Sequence, residues 1–216
     1  MSRVLVLGHD DARAALDPDA LLTAVTTALV STARGQASTP PRIAAFGPAG
    51  LLGAMPGYVP GLGMAGKLVT VFAVPGVEGR SSHRGVVALF DEHDGHLLAL
   101  IDAGAQARAQ LELLAHLGTD AEVVVASRDP DSAAAAAVFV EWPGAVERPP
   151  PAGAHELQGL PRDRVRMVGD VLGGVTTRTR GELTVFKSTG FAGLDVAASV
   201  ALGSARREGL GSTVHL

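Results

Sequence analysis

The chain has 216 residues, 27 of them Gly and 13 Pro, with no Cys, a formal net charge of −4 and a pI near 5.9. At 47% hydrophobic and 19% charged residues it is long and apolar enough to bury a sizeable core, which excludes a mostly disordered chain, and the missing Cys excludes disulfides, thiol catalysis and thiolate metal sites. The acidic balance argues against a nucleic-acid binder, and neither a secretory leader nor an apolar run near the roughly 18 residues of a bilayer span is found, so a soluble, cytoplasmic protein is expected.

Val4 to Leu7 reads as a strand stopped by Gly8. Asp17 and Pro18 supply an N-cap and an N1 proline for a helix over Asp19 to Ala33, closed by Gly35. Five short apolar runs follow: Arg42 to Phe46, Leu51 to Met55, Lys67 to Phe72, Val86 to Phe90 and Leu97 to Ile101. Gly47-Pro48, Pro56-Gly57, Pro60-Gly61, Pro75-Gly76 and Asp94-Gly95 punctuate them, a pattern of an antiparallel, barrel-like or sheet domain with a hairpin at Asp94-Gly95. The pattern then changes to a helix over Ala103 to Leu117, a buried strand over Ala121 to Ser127 and an Ala-rich helix over Pro130 to Val140, a piece of parallel α/β structure. Trp142 to Gly153 reads as irregular, Arg162 to Leu172 as a helix ended by Gly173-Gly174, Glu182 to Lys187 as a strand, Phe191 to Arg207 as a helix and Thr213 to Leu216 as a last strand.

Few residues stand out chemically. Only two of the 18 basic residues are Lys, at 67 and 187. A chain that meets general needs with Arg keeps Lys where a compact, titratable ammonium matters. Lys67 opens an apolar strand, where its ammonium would be partly buried and able to hold a carboxylate or polarise an imine; the plainer alternative is a strand-end charge. Asp102-Ala103-Gly104-Ala105-Gln106, opening a helix, has some character of a dinucleotide-binding turn, in which backbone N–H groups meet a pyrophosphate at the helix N-terminus. A plain loop–helix junction explains it equally well. Ser127-Arg128 after the following strand suits a 2′-phosphate, favouring NADP over NAD if a dinucleotide binds; the alternative is a surface charge. Asp91, His93, Asp94 and His96 straddle a hairpin turn, so solvated turn residues are expected there and no metal site.

Several stretches together resemble the ornithine cyclodeaminase/μ-crystallin family of NAD(P)-dependent enzymes. They are Pro41-Arg42, Met55-Pro56-Gly57-Tyr58, Gly66 to Phe72, Gly85 to Asp102, Gly169 to Gly174, Glu182 to Gly190 and Asp195, in collinear order. The resemblance implies an α/β fold: a substrate and dimerisation domain of sheet plus helices built from both chain ends, with a Rossmann-like domain inserted. Here those parts would be residues 1–102 and 162–216, with 103–161 as a severely reduced insert. It also implies a small amino or imino acid as substrate, NAD or NADP as cofactor and a homodimer. Arg42 and Lys67 would bind the substrate carboxylate, with Lys67 closest to the reacting carbon, and Met55 would line that pocket. Gly104, Ala105, Gln106, Ser127 and Arg128 would face the cofactor, with Ser188 and Gly190 near the nicotinamide.

The chain also departs from the family pattern. The helix carrying the Arg-Thr-x-Ala motif, the first dinucleotide-binding strand and the segment bearing the catalytic Asp are not recognisable. About 60 residues lie between Asp102 and Arg162, fewer than the on the order of 100 that a complete doubly wound domain needs. Two readings stay open: an oxidoreductase or cyclodeaminase, or a non-catalytic dimeric module that binds a small carboxylate and has lost the cofactor.

Overall fold

The computed structural model describes residues 3–73, 81–102, 137–150, 152–177 and 184–215. Strands β1 (Arg3–Leu7), β2 (Ile43–Phe46), β3 (Gly50–Val59), β4 (Gly63–Ala73), β5 (Ser81–Phe90), β6 (Leu97–Asp102) and β10 (Ser212–His215) form one sheet in the order β10-β1-β6-β5-β4-β3-β2. The strands from β2 to β6 are joined antiparallel, each to the next, while β1 runs parallel to β6 and β10 pairs antiparallel with β1. Both chain ends therefore meet at one edge. The sheet is mixed and open, which narrows the expectation of an antiparallel, barrel-like or sheet domain.

Helices α1 (His9–Ala15), α2 (Pro18–Ala33), α5 (Ala192–Ala197) and α6 (Val200–Glu208) cover one face. Asp17 caps α2 as the sequence predicts, its Oδ1 accepting the Ala20 N–H at 2.7 Å. The covered face alternates with the pleat: Ala65 and Lys67 of β4 are buried, whereas Met64 and Leu68 are exposed. Leu7, Val59, Val87, Leu89, Ile101 and Val196 sit in one apolar core with the small Ala28, Ala99, Ala201 and Ala205. The small residues let helices lie close on the sheet. At Gly57 a Cβ would stand 2.8 Å from the Ala192 Cβ, so the start of α5 can approach β3 only because no side chain is there.

A second, three-stranded sheet is wholly parallel, with β7 (Ala137–Val140) between β8 (Val165–Met167) and β9 (Thr184–Lys187). Its core joins Val138, Val140, Trp142, Leu157 and Phe191 to Leu29 of α2. Helix α2 thus feeds both cores, with Ala28 in the first and Leu29 in the second. The single helical turn α3 (Gly144–Glu147) and the short helix α4 (Val168–Leu172) flank the small sheet.

Several expected elements differ. Ala137–Val140 is a central strand and not the end of an Ala-rich helix, because Val138, Phe139 and Val140 are β-formers and both neighbouring strands satisfy their backbone. The helix expected over Arg162 to Leu172 divides into a 3-10 turn (Arg162–Arg164), β8 and α4. The helix expected from Phe191 to Arg207 breaks at Ala198 and Ser199 into α5 and α6. Trp142 to Gly153, expected to be irregular, contains α3. Pro56-Gly57 is no turn but lies inside β3, its register with Gly66 and Ala65 unbroken. Helix α1 had no clear sequence signal. The elements expected over Ala103 to Leu117 and Ala121 to Ser127, and the turn at Pro75-Gly76, lie outside the described residues. No helix among the described residues is long and apolar enough to cross a membrane.

Candidate functional site

A cluster of charged side chains is buried where the two sheets meet. Lys67 points from the middle of β4 to the helix-covered face, is only 8% exposed, and pairs through Nζ with Asp195 Oδ1 of α5 at 3.1 Å. Met55, 7% exposed, stands directly across on β3. Asp195 is 9% exposed and its Oδ2 has no hydrogen-bond partner. Burial pushes its carboxyl above the ordinary carboxylate range, and the nearby charges of Lys67 and Arg42 only partly oppose this.

The second half of the cluster comes from the C-terminal ends of two parallel strands, β7 and β9, where open parallel sheets commonly present functional groups. Glu141 directly follows β7 and is 1% exposed. Its Oε1 accepts the backbone N–H groups of Thr189 (2.7 Å) and Gly190 (2.5 Å). Gly190 adopts φ +69°, a left-handed conformation that turns successive N–H groups toward one anion. The Thr189 hydroxyl lies 3.4 Å from the same oxygen and accepts the indole N–H of Trp142 at 2.8 Å. Trp142 in turn stacks on Phe191, centroids 6.4 Å apart. Glu141 Oε2 is buried without a partner. Burial raises the Glu141 carboxyl above its usual range against the lowering effect of the Ser188, Thr189 and Gly190 hydrogen bonds.

Arg42 closes the arrangement. Its guanidinium donates to the carbonyls of Thr189 and of Gly190, the latter at 2.8 Å. Burial lowers its pKa, with Glu141 and Asp195 acting in the opposite direction. The peptide groups of residues 189 and 190 thus present N–H to Glu141 and C=O to Arg42.

Of the residues singled out in the sequence, Arg42 is brought to the loop that carries Ser188 and Gly190, and Met55 to Lys67; Asp195 links the two groups. Ser188 precedes Thr189 on the loop that follows β9. Gly104, Ala105, Gln106, Ser127 and Arg128 lie outside the described residues. Glu141, Thr189 and Trp142 were missed, and Asp195 was read only as part of a motif. The signal was present, since Glu141 is a lone acid ending an apolar run beside the chain's single Trp. The His and Asp residues near Asp94-Gly95 serve the turn: Asp91 Oδ1 accepts the His93 N–H at 2.8 Å and Asp94 Oδ1 the His96 N–H at 2.9 Å. A cavity of about 370 Å³ between the 37–41 segment and α3 has Trp142 in its wall, but lies beside the charged cluster and not over it.

Chemically, the cluster offers two cations, which can grip a carboxylate, and two buried carboxyls with raised pKa, which can hold a proton or face an ammonium or iminium. A mixed sheet joined to a small parallel sheet is a fold for which similar solved structures are known. Residues 5–108 match the model of the ornithine cyclodeaminase/mu-crystallin family, the family that the chain's motifs resemble. No curated protein sequence matches. The fold is similar to that of an archaeal alanine dehydrogenase dimer with bound NAD (TM-score 0.78, 18% identity, 100% of each chain covered). It is also similar to Δ1-pyrroline-2-carboxylate reductase of Thermococcus litoralis in complex with NADH and L-proline (0.77, 16%, 98% of this chain and 100% of that one). A third is the iminosuccinate reductase of Paracoccus denitrificans in complex with NAD+ (0.77, 18%, 100% of each). At these identities the likeness is one of fold.

Proposed function

We propose that this chain is an ornithine cyclodeaminase-like, NAD(P)-dependent oxidoreductase or cyclodeaminase that takes a small amino or imino acid by its carboxylate. The observation that carries this reading is the pairing of Lys67 and Arg42 around Asp195 in a buried cluster. Lys67 and Arg42 would hold the carboxylate, Lys67 nearest the reacting carbon, with Met55 as the apolar wall. An incoming carboxylate competes with Asp195 for Lys67, and the raised pKa of Asp195 eases that exchange, because the displaced carboxyl can take up a proton. The dinucleotide would supply or accept a hydride at the substrate carbon. Ser188 and Gly190 would lie near its nicotinamide, and at Gly190 no atom lies within 4 Å of where a Cβ would stand, which leaves room for a ring. Gly104 to Gln106 would meet the pyrophosphate, and Ser127 and Arg128 a 2′-phosphate, which favours NADP. The exposed face of the large sheet, with Ile43, Leu52, Leu68 and Phe72, suits a second copy of the chain, giving a homodimer.

A second reading is a dimeric module that binds a small carboxylate without turning it over. It is favoured by the fold's own groups occupying both cations and by the short span between β6 and β8. Calorimetric titration of the protein with NADPH and with NADH, followed by L-ornithine, L-lysine, L-alanine and L-proline, separates the two. Dinucleotide and amino acid both binding one per chain support the enzyme. Amino acid binding alone supports the module, and no binding of either rejects both. Arg128→Glu should weaken NADPH more than NADH; an equal effect would remove the NADP preference.

A further inference from the structure

Glu141 is outside the residues assigned to the carboxylate or the dinucleotide, yet it is the most deeply buried charge of the cluster. It spends one oxygen on two consecutive N–H groups of the loop after β9, while the carbonyls of the same two residues receive Arg42. The Gly190 N–H and the Thr189 carbonyl belong to one planar peptide group, so an anion that holds this N–H also fixes the direction of the Thr189 carbonyl that receives Arg42. The left-handed Gly190 makes the double contact possible.

We propose that Glu141 is a positioning residue of the carboxylate site, setting the Ser188–Gly190 loop so that its carbonyls orient the Arg42 guanidinium toward the ligand. This rests on the reading of Arg42 and Lys67 as the carboxylate grip. Glu141 touches no ligand in this role. The charged group that faces it is Arg42, and the Thr189 hydroxyl faces it from the loop. Trp142, next in sequence, holds the Thr189 hydroxyl from the other side.

The role differs from simple electrostatics in what two variants do. Glu141→Gln keeps an oxygen for the two N–H groups and removes the charge, whereas Glu141→Ala removes both. Positioning predicts that Glu141→Gln binds whichever of L-ornithine, L-lysine, L-alanine or L-proline the wild type takes to within about threefold, while Glu141→Ala loses about tenfold or more, the scale of a lost hydrogen bond to a charged group. Equal losses in the two variants, or a Glu141→Ala affinity equal to wild type, would overturn it. Nuclear magnetic resonance supplies a ligand-free arm. The Thr189 and Gly190 amide protons should move upfield in Glu141→Gln, as a charge-assisted bond becomes a neutral one. The Arg42 guanidinium signals should stay sharp in that variant and broaden in Glu141→Ala. Unmoved amide protons, or Arg42 signals that remain sharp in Glu141→Ala, overturn the proposal whether or not an amino acid binds. If Glu141→Ala does not fold, the amide shifts of Glu141→Gln decide. Failure of every amino acid to bind wild type, with these signals as expected, would sink the carboxylate reading and leave the Glu141–Arg42 link standing.

Discussion

The two sheets are built by opposite rules. The large sheet grows mainly by hairpins between successive strands, β2 through β6, and buries one face under helices while leaving the other open. The small sheet draws three strands of three or four residues from separated parts of the chain, all parallel, with Val138 and Val140 fully buried in the central one. Hairpins close short loops and make pairing local, whereas parallel strands need long connections. The large sheet therefore acts as the scaffold, and the small one gathers at its strand ends the residues that complete the site. The charged cluster lies where the two meet, and each sheet alone would supply half of it.

That comparison orders the expected effects of substitution. The largest should come at the junction. Asp195→Ala leaves Lys67 buried without its counter-ion and should cost about 3–5 kcal/mol; chemical denaturation checks it, and a loss below about 1 kcal/mol would mean that water reaches Lys67 freely. Next is the scaffold core. Leu89→Ala, at a position 2% exposed, should cost about 2–5 kcal/mol by the same assay.

Smaller is the pH dependence of stability. Glu141 and Asp195 both have raised folded-state pKa, so the folded chain binds protons more tightly than the unfolded chain. Ionising them costs stability in full above the folded-state pKa. That cost is relieved as pH falls through this pKa toward the ordinary carboxylate value near about 4. Asp94 and Glu156, with lowered pKa, act oppositely, and their contribution is lost only as pH falls below the ordinary value. Thermal melts should therefore show stability rising on mild acidification from neutral pH before it falls, and Glu141→Gln should flatten the rise. A monotonic fall would show that the buried carboxyls do not govern the response.

On the open face of the large sheet, Leu68→Asp should turn a dimer into a monomer by light scattering, with little change in the fold; a dimer that persists would place the interface elsewhere. The smallest effect is at the rim of the small sheet, where Lys187 meets Glu156 in a partly exposed ion pair. Glu156→Gln should cost about 1 kcal/mol or less.

The same contrast explains what the sequence revealed. Strands β3 to β6 were legible because their apolar runs are long and bounded by turn residues such as Asp94-Gly95. Helix α2 was legible from its cap. Pro56-Gly57 misled because those residues serve the packing of α5 and not a turn. Strand β7 was hidden in an Ala-rich run, and a fully buried parallel strand of four residues has no alternation to display. Lys67 stood out by the scarcity of Lys, and Arg42 by the family motif. Glu141 did not, since its role arises from contact with residues 189 and 190, nearly fifty positions away. Its place as a lone acid beside Trp142 marks the residue, but partners this distant in the chain leave no local pattern that names its role.

The most direct test of the account is calorimetric titration of wild type and Lys67→Ala with L-ornithine, L-lysine, L-alanine and L-proline, each variant first shown to be folded. One of these should bind wild type at one per chain, and Lys67→Ala should abolish the binding. Unchanged affinity in Lys67→Ala, or no binding by folded wild type, would contradict the account.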